Sequence, residues 1–196
     1  MSNGERNEVL ILIFEINQIV VDIDVEANRI YYAQVDRMND CSCSGCVNYR
    51  QYANECNNKI KYFFSGIGID NLNFITEIIP LDVSSDTYEQ DHCIDYMGFY
   101  HIKGKIIENK QSSSSEQEYI QDKWEKIDEN FYVTIHDEIA LLPDGFPAPH
   151  LQLEIFAHIP WVLDEENTYV ISTPNNNKRF SLITKIKNVF LGLLKK

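Results

Sequence analysis

The segment "HLQLEIFAHI", residues 150–159, sets Leu151, Leu153, Ile155, Ala157 and Ile159 against His150, Gln152, Glu154, Phe156 and His158. Strict alternation is the signature of a strand with one packed face, since successive side chains point to opposite sides. Its neighbours share the pattern. Ile19 to Val25 alternates apolar residues with Asp22 and Asp24, Phe131 to His136 is strand-like, and Ile94 to Ile107 is long and aromatic, with Gly98 and Gly104 as bulge points. The spacing predicts a hairpin in which "EANR" turns Ile19–Val25 back into a second strand at Arg29–Val35.

Between these segments the period changes. Tyr49, Tyr52, Ala53, Cys56, Ile60, Phe63 and Phe64 recur at three- and four-residue steps, which predicts one amphipathic helix over 47–64, ended by Gly66. The fold expected is α+β: an antiparallel sheet of five to seven strands packed by one or two helices. A C-terminal amphipathic helix is expected at Ser181 to Lys196, with Leu182, Ile186, Phe190 and Leu193 on its apolar side.

The chain has 196 residues, 17 basic against 30 acidic, and a net charge of −13. Its length fits one domain with a tail. Residues 178–196 hold six basic residues and no acid, so an acidic body (1–177) is followed by a basic helix (178–196). That helix docks on the body, on a partner or on a membrane surface. The acidic body repels nucleic-acid phosphate and anionic lipid, so a nucleic-acid partner is excluded and a membrane is disfavoured. Without a basic leader or cleavage site at the N-terminus, and with an odd number of cysteines, the expected compartment is the cytoplasm.

Four of the five cysteines fall in "CSCSGCVNYRQYANEC", residues 41–56. Cys41, Cys43 and Cys46 have the C-x-C-x2-C spacing that lets three sulfurs converge on a tetrahedral zinc ion. A fourth donor is expected from "DHC", with Cys93 or the adjacent His92. Cys56, ten residues along a continuous helix from Cys46 and so about 15 Å away, is expected to pack in the core. The alternatives are reduced thiols beside a helix N-terminus, or a redox pair, which the missing βαβ context disfavours.

The polar side of the 150–159 strand offers His150, Gln152 and Glu154 as the lining of a small-ligand groove, or as an ordinary solvated face. His150 and His158 are about 26 Å apart on an extended strand and cannot share an ion. Phosphate-loop, nucleophile-elbow and H-E-x-x-H signatures are absent from the sequence.

The cysteine loop followed by "VNY", "GID", "GFYHIKG" and "LQLEIFAHIPWVLDE" is similar to an uncharacterised group of bacterial proteins, mostly from Firmicutes, over roughly residues 41–165. The resemblance implies that the three loop cysteines and the Pro160–Trp161 corner are shared structural features, and it carries over no catalytic residue. The function expected is a non-enzymatic cytoplasmic interaction protein that neutralises or sequesters a protein partner, of the toxin-immunity or phage counter-defence type. The alternatives are a small-ligand-binding module and, third, a metal-dependent enzyme.

Overall fold

A computed structural model describes residues 11–35, 40–111 and 124–172. The expected C-terminal helix, and with it the division at 177/178, lies outside the described residues. The fold is α+β, as expected, and the described residues form a seven-stranded antiparallel sheet and four α-helices.

The chain opens with strands β1 (Ile11–Ile16) and β2 (Ile19–Asp24), paired antiparallel around Asn17–Gln18. Both turn residues have positive φ, 41° and 67°, which matches the twist of a two-residue hairpin. The hairpin therefore lies before β2, and the expected partner at Arg29–Val35 is not a strand. Helix α1 (Val25–Tyr32) begins immediately after β2, because the Asp24 carboxylate accepts from the Ala27 amide at 3.0 Å and caps it. Buried Asn28 then locks α1 in place, donating to Ile67 O at 2.9 Å and accepting from the Lys103 amide at 2.7 Å.

The predicted single helix over 47–64 is two: α2 (Ser44–Glu55) and α3 (Asn58–Gly66). Cys56 is extended, and the Asn57 side chain accepts from the Lys59 and Ile60 amides, starting a new helix while keeping the apolar stripe in phase. The last helical residue is Gly66, but the left-handed residue that terminates the helix is Gly68. Gly68 has φ +88°, its amide bonds Ser65 O, and Ile69 N bonds Phe64 O, the paired reverse bonds of a left-handed helix terminus.

A turn of 3-10 helix (Leu72–Phe74) leads to β3 (Glu77–Pro80), β4 (Val83–Ser84), α4 (Ser85–Asp91) and the long β5 (Cys93–Asn109). After residues 112–123 come β6 (Glu125–Asp128), β7 (Phe131–His136), β8 (His150–Pro160) and β9 (Val170–Ile171), the last parallel to β4. The order is β1-β2-β5-β8-β7-β6, with β3 also on β5. Strand β5 gives one edge to β8 over Cys93–Lys103, and divides the other between β3, at Tyr96–Phe99, and β2, at Gly104–Asn109. The register shifts opposite Val20/Val21, where Ile107 of β5 is left unpaired, and again between Lys126 and Asp128 of β6, not at Gly98 or Gly104. Asn17 N donates to Glu125 Oε2 at 3.2 Å, so the sheet curls and draws its two outer strands together.

One face of the sheet carries Tyr96, Tyr100 and Ile102 of β5, Leu151 to Ile159 of β8 at alternate positions, and Phe131, Val133 and Ile135 of β7, all buried. Helices α2 and α3 cover it. Tyr49 and Tyr100 share a hydroxyl hydrogen bond at 2.9 Å, and the Phe64 ring packs against Tyr100 and Phe131. Cys56 sits in this core at 5 % exposure, as its position on the stripe predicts.

Candidate metal-binding and acidic sites

Cys43 precedes α2 as its N-cap without a side-chain cap bond, Cys46 lies in the first turn, and Cys41 lies two residues upstream. The sulfurs of Cys41, Cys43 and Cys46 are all within 4.8 Å of one another, and Cys41 and Cys43 are 3.2 Å apart. Tetrahedral thiolates around zinc stand about 3.8 Å apart, given a Zn–S bond near 2.3 Å, so the three are close enough to hold one metal ion. Gly45 makes the loop compact: a Cβ there would meet Pro80 Cγ at 2.5 Å and the Tyr169 ring at 2.8 Å.

Burial opposes ionisation of Cys43, but hydrogen bonds from the Tyr169 hydroxyl, the Cys46 amide and the two neighbouring thiols outweigh it and bring its pKa down to about 7. Cys46 is 2 % exposed, and burial together with its neighbouring sulfurs pushes its thiol well up. Cys41 is exposed, so the cluster is open to solvent on one side.

The fourth sulfur expected from Cys93 is not delivered. Cys93 stands with Asp91 and His158, whose ligand atoms lie within 4.8 Å of one another. The His158 ring is held at both nitrogens, Nδ1 by Asp95 Oδ1 at 2.7 Å and Nε2 by Asp91 Oδ2 at 2.9 Å. The Asp95 hydrogen bond, against some desolvation and with help from Asp91, raises the imidazole to about 9. Cys93 moves up to about 11 through burial and the two carboxylates. Sequence reasoning missed this group because its members are some sixty residues apart. The signal was the i, i+2 pair Cys93 and Asp95, which lies on one side of a strand, with Asp91 just before it at the end of α4.

The row His150, Gln152, Glu154 is neither a solvated face nor an open groove. Gln152 and Glu154 are 1 % and 8 % exposed, and both are committed internally. Gln152 Oε1 accepts from Ala140 N at 2.8 Å, and Gln152 Nε2 donates to Glu154 Oε1 at 3.3 Å. Glu154 also holds His136 Nε2 at 2.9 Å, and this contact and the Glu154 charge overcome burial to raise the imidazole. His150 packs against Phe146 and bonds its carbonyl at 3.2 Å. The covering segment is the β7–β8 connection. It also closes over His101, fully buried between Thr76 Oγ1 (3.0 Å) and Ala140 O (2.9 Å). The carbonyl accepts only, so Nε2 carries the proton and Nδ1 accepts from the threonine. Burial lowers His101 to about 4.

One corner of the molecule gathers negative charge. The sequence has no lysine or arginine over 62–102 or 127–177. These stretches meet through the β4–β9 pair and through Trp161, whose amide bonds His92 O and whose indole bonds Glu165 O at 2.8 Å. Asp82, Asp86, Glu89 and Asp91 on one side, and Asp164, Glu165 and Glu166 on the other, are all exposed there. The thiol cluster borders this corner through Tyr169 and through Ser44, 3.5 Å from Thr168. A concavity of about 480 Å³ lined by Asn54, Lys61, Tyr62 and Asp70 contains none of these groups. No described helix is long and apolar enough to cross a membrane.

No family model, curated protein or solved structure matches the chain.

Proposed function

We propose that the protein is a non-enzymatic cytoplasmic interaction protein that uses its acidic corner to occupy a basic surface of a protein partner, in the manner of a toxin-neutralising or counter-defence protein. The observation that supports this is the meeting of two lysine- and arginine-free stretches at one corner, with seven exposed carboxylates from the β3–β4 link, α4 and the β8–β9 connection. A one-signed patch raises association rates with a complementary partner and repels like-charged surfaces. In this reading the ion at Cys41, Cys43 and Cys46 is zinc, which thiolates favour over magnesium or calcium, and it fixes the loop bordering the corner.

The test is in-cell crosslinking of the full chain beside a variant carrying D86N, E89Q, E165Q and E166Q. The partner recovered with the parent should associate at least about tenfold more slowly with the variant at low salt, and the difference should shrink as salt screens the charges. Equal recovery and equal rates overturn the proposal. Zinc is tested separately: elemental analysis of untagged protein should find it, and a chelator should lower Tm, because binding free energy at such a site is folding free energy. Metal-free protein indifferent to chelator overturns that assignment.

A further inference from the structure

The geometry points to a second divalent-metal site, formed by Asp91, Cys93 and His158 with Asp95 as the positioning residue, separate from the thiol loop and at the edge of the acidic corner, to which Asp91 also belongs. Three elements converge to build it: the end of α4 supplies Asp91, the first residue of β5 supplies Cys93, and the far end of β8 supplies His158. The register pairs Asp95 directly with His158 and Cys93 with Pro160, so Cys93, Asp95 and His158 lie on the same face of the sheet. His92 between the first two ligands takes a left-handed conformation, φ 55°, where the chain passes from α4 into β5 and Asp91 meets the same imidazole.

The ring has two carboxylates where orienting it needs one. Asp95 Oδ1 at 2.7 Å from Nδ1 already fixes the imidazole. A carboxylate behind a ligating histidine is the usual arrangement at metal sites, and it presents the other nitrogen to the ion. That nitrogen, Nε2, faces Asp91 Oδ2 at 2.9 Å, and the Cys93 sulfur completes a group whose atoms are all within 4.8 Å of one another. Donors around tetrahedral zinc stand about 3.4 to 3.7 Å apart. A metal replacing the proton between His158 and Asp91 therefore needs the two to open by roughly half an ångström. Asp91 has that freedom, with its side chain 45 % exposed. One thiolate, one imidazole and one carboxylate suit zinc or cobalt rather than calcium or magnesium, and the exposed Asp91 side leaves the fourth position to water.

The probe is cobalt(II) alone, titrated into the full chain carrying Cys41→Ser and Cys43→Ser, which disables the thiol loop. We expect one cobalt per chain, with a thiolate-to-cobalt charge-transfer band in the near ultraviolet. Cys93→Ser should abolish the band. His158→Gln should weaken binding about 100-fold, and Asp95→Asn about 10- to 100-fold with the band retained, as for other residues that orient a ligand. A band that survives Cys93→Ser, no band in the parent, or unchanged affinity in His158→Gln overturns the proposal. Should Cys93→Ser fail to melt cooperatively, His158→Gln, whose side chain is partly exposed, decides.

Discussion

His101 of β5 ends a cross-strand row that continues through Gln152 of β8 to His136 of β7, and its burial makes a prediction about acid. In the folded chain the ring is neutral, with Thr76 on Nδ1, the Ala140 carbonyl on Nε2, and Phe99, Phe146 and His150 around it. Its pKa falls from the ordinary 6.5 to about 4, so protonation favours the unfolded chain. The contribution of His101 is therefore complete above about pH 6.5 and is lost as pH falls toward 4. Between about pH 7.5 and about pH 5 the linkage integral gives a loss of about 2 kcal/mol, at 1.36 kcal/mol for each pKa unit. The imidazole is fully buried, so the figure needs little discount for screening. His136 opposes it: its raised pKa gives stability that is present at low pH and lost as pH rises through its folded value. Asp24, lowered by the Lys103 hydrogen bond, adds a loss on acidification in parent and variant alike. The assay is urea unfolding at both pH values for the parent and for His101→Gln, which keeps polar groups near Thr76 and Ala140 but cannot titrate. Stability should fall by about 2 kcal/mol more in the parent than in the variant. Equal losses in the two proteins refute the reasoning.

Three substitutions test the local structure by chemical denaturation. Gly68→Ala forces a side chain into φ +88° with a Cβ 2.3 Å from Val25 O, and should cost ~2 kcal/mol or more, whereas Gly66→Ala, with nothing within 4 Å, should be close to neutral. Asn57→Ala removes the cap of α3 and should cost about 1 kcal/mol with a matching loss of helical circular dichroism. Cys56→Ala should cost ~1–2 kcal/mol through packing, with the metal content by elemental analysis unchanged.

The central strands were legible because alternation survives when one face packs on helices: β2 and β7 alternate in burial, β8 alternates in sequence, and β5 does so roughly. Strand β1 was not, since Val9 to Phe14 is an unbroken apolar run with no period. The α2–α3 break was hidden because the apolar stripe stays in phase from Tyr49 to Phe64 while Asn57 restarts the backbone. Helix α1 was mistaken for a strand because its decisive contacts, Asn28 to Ile67 and Lys103, are tertiary. The loop sulfurs converge as their spacing suggests, since three close positions on one loop have little room to diverge. Cys93 does not join them, because α4 and β5 carry it to His158. The burial of Gln152 and Glu154 was unreadable from β8 alone, because the covering contact from Ala140, 12 residues before Gln152, leaves no periodic trace.

The division of one β5 edge between β2 and β3 has a consequence for synthesis. Strand β2 ends at Asp24, but the residues that flank it on its inner side, Gly104 to Asn109, are made roughly 80 to 85 residues later, about 4 to 17 s at 5–20 residues per second. Through that interval the growing chain holds a two-stranded ribbon with one bare row of backbone donors and acceptors. The same is true, more briefly, of β3. A ribosome stalled between residues 24 and 104 thus displays a template for strand addition by another chain. Aggregation during expression should therefore depend on the pace of translation through this window more than on the stability of the finished fold.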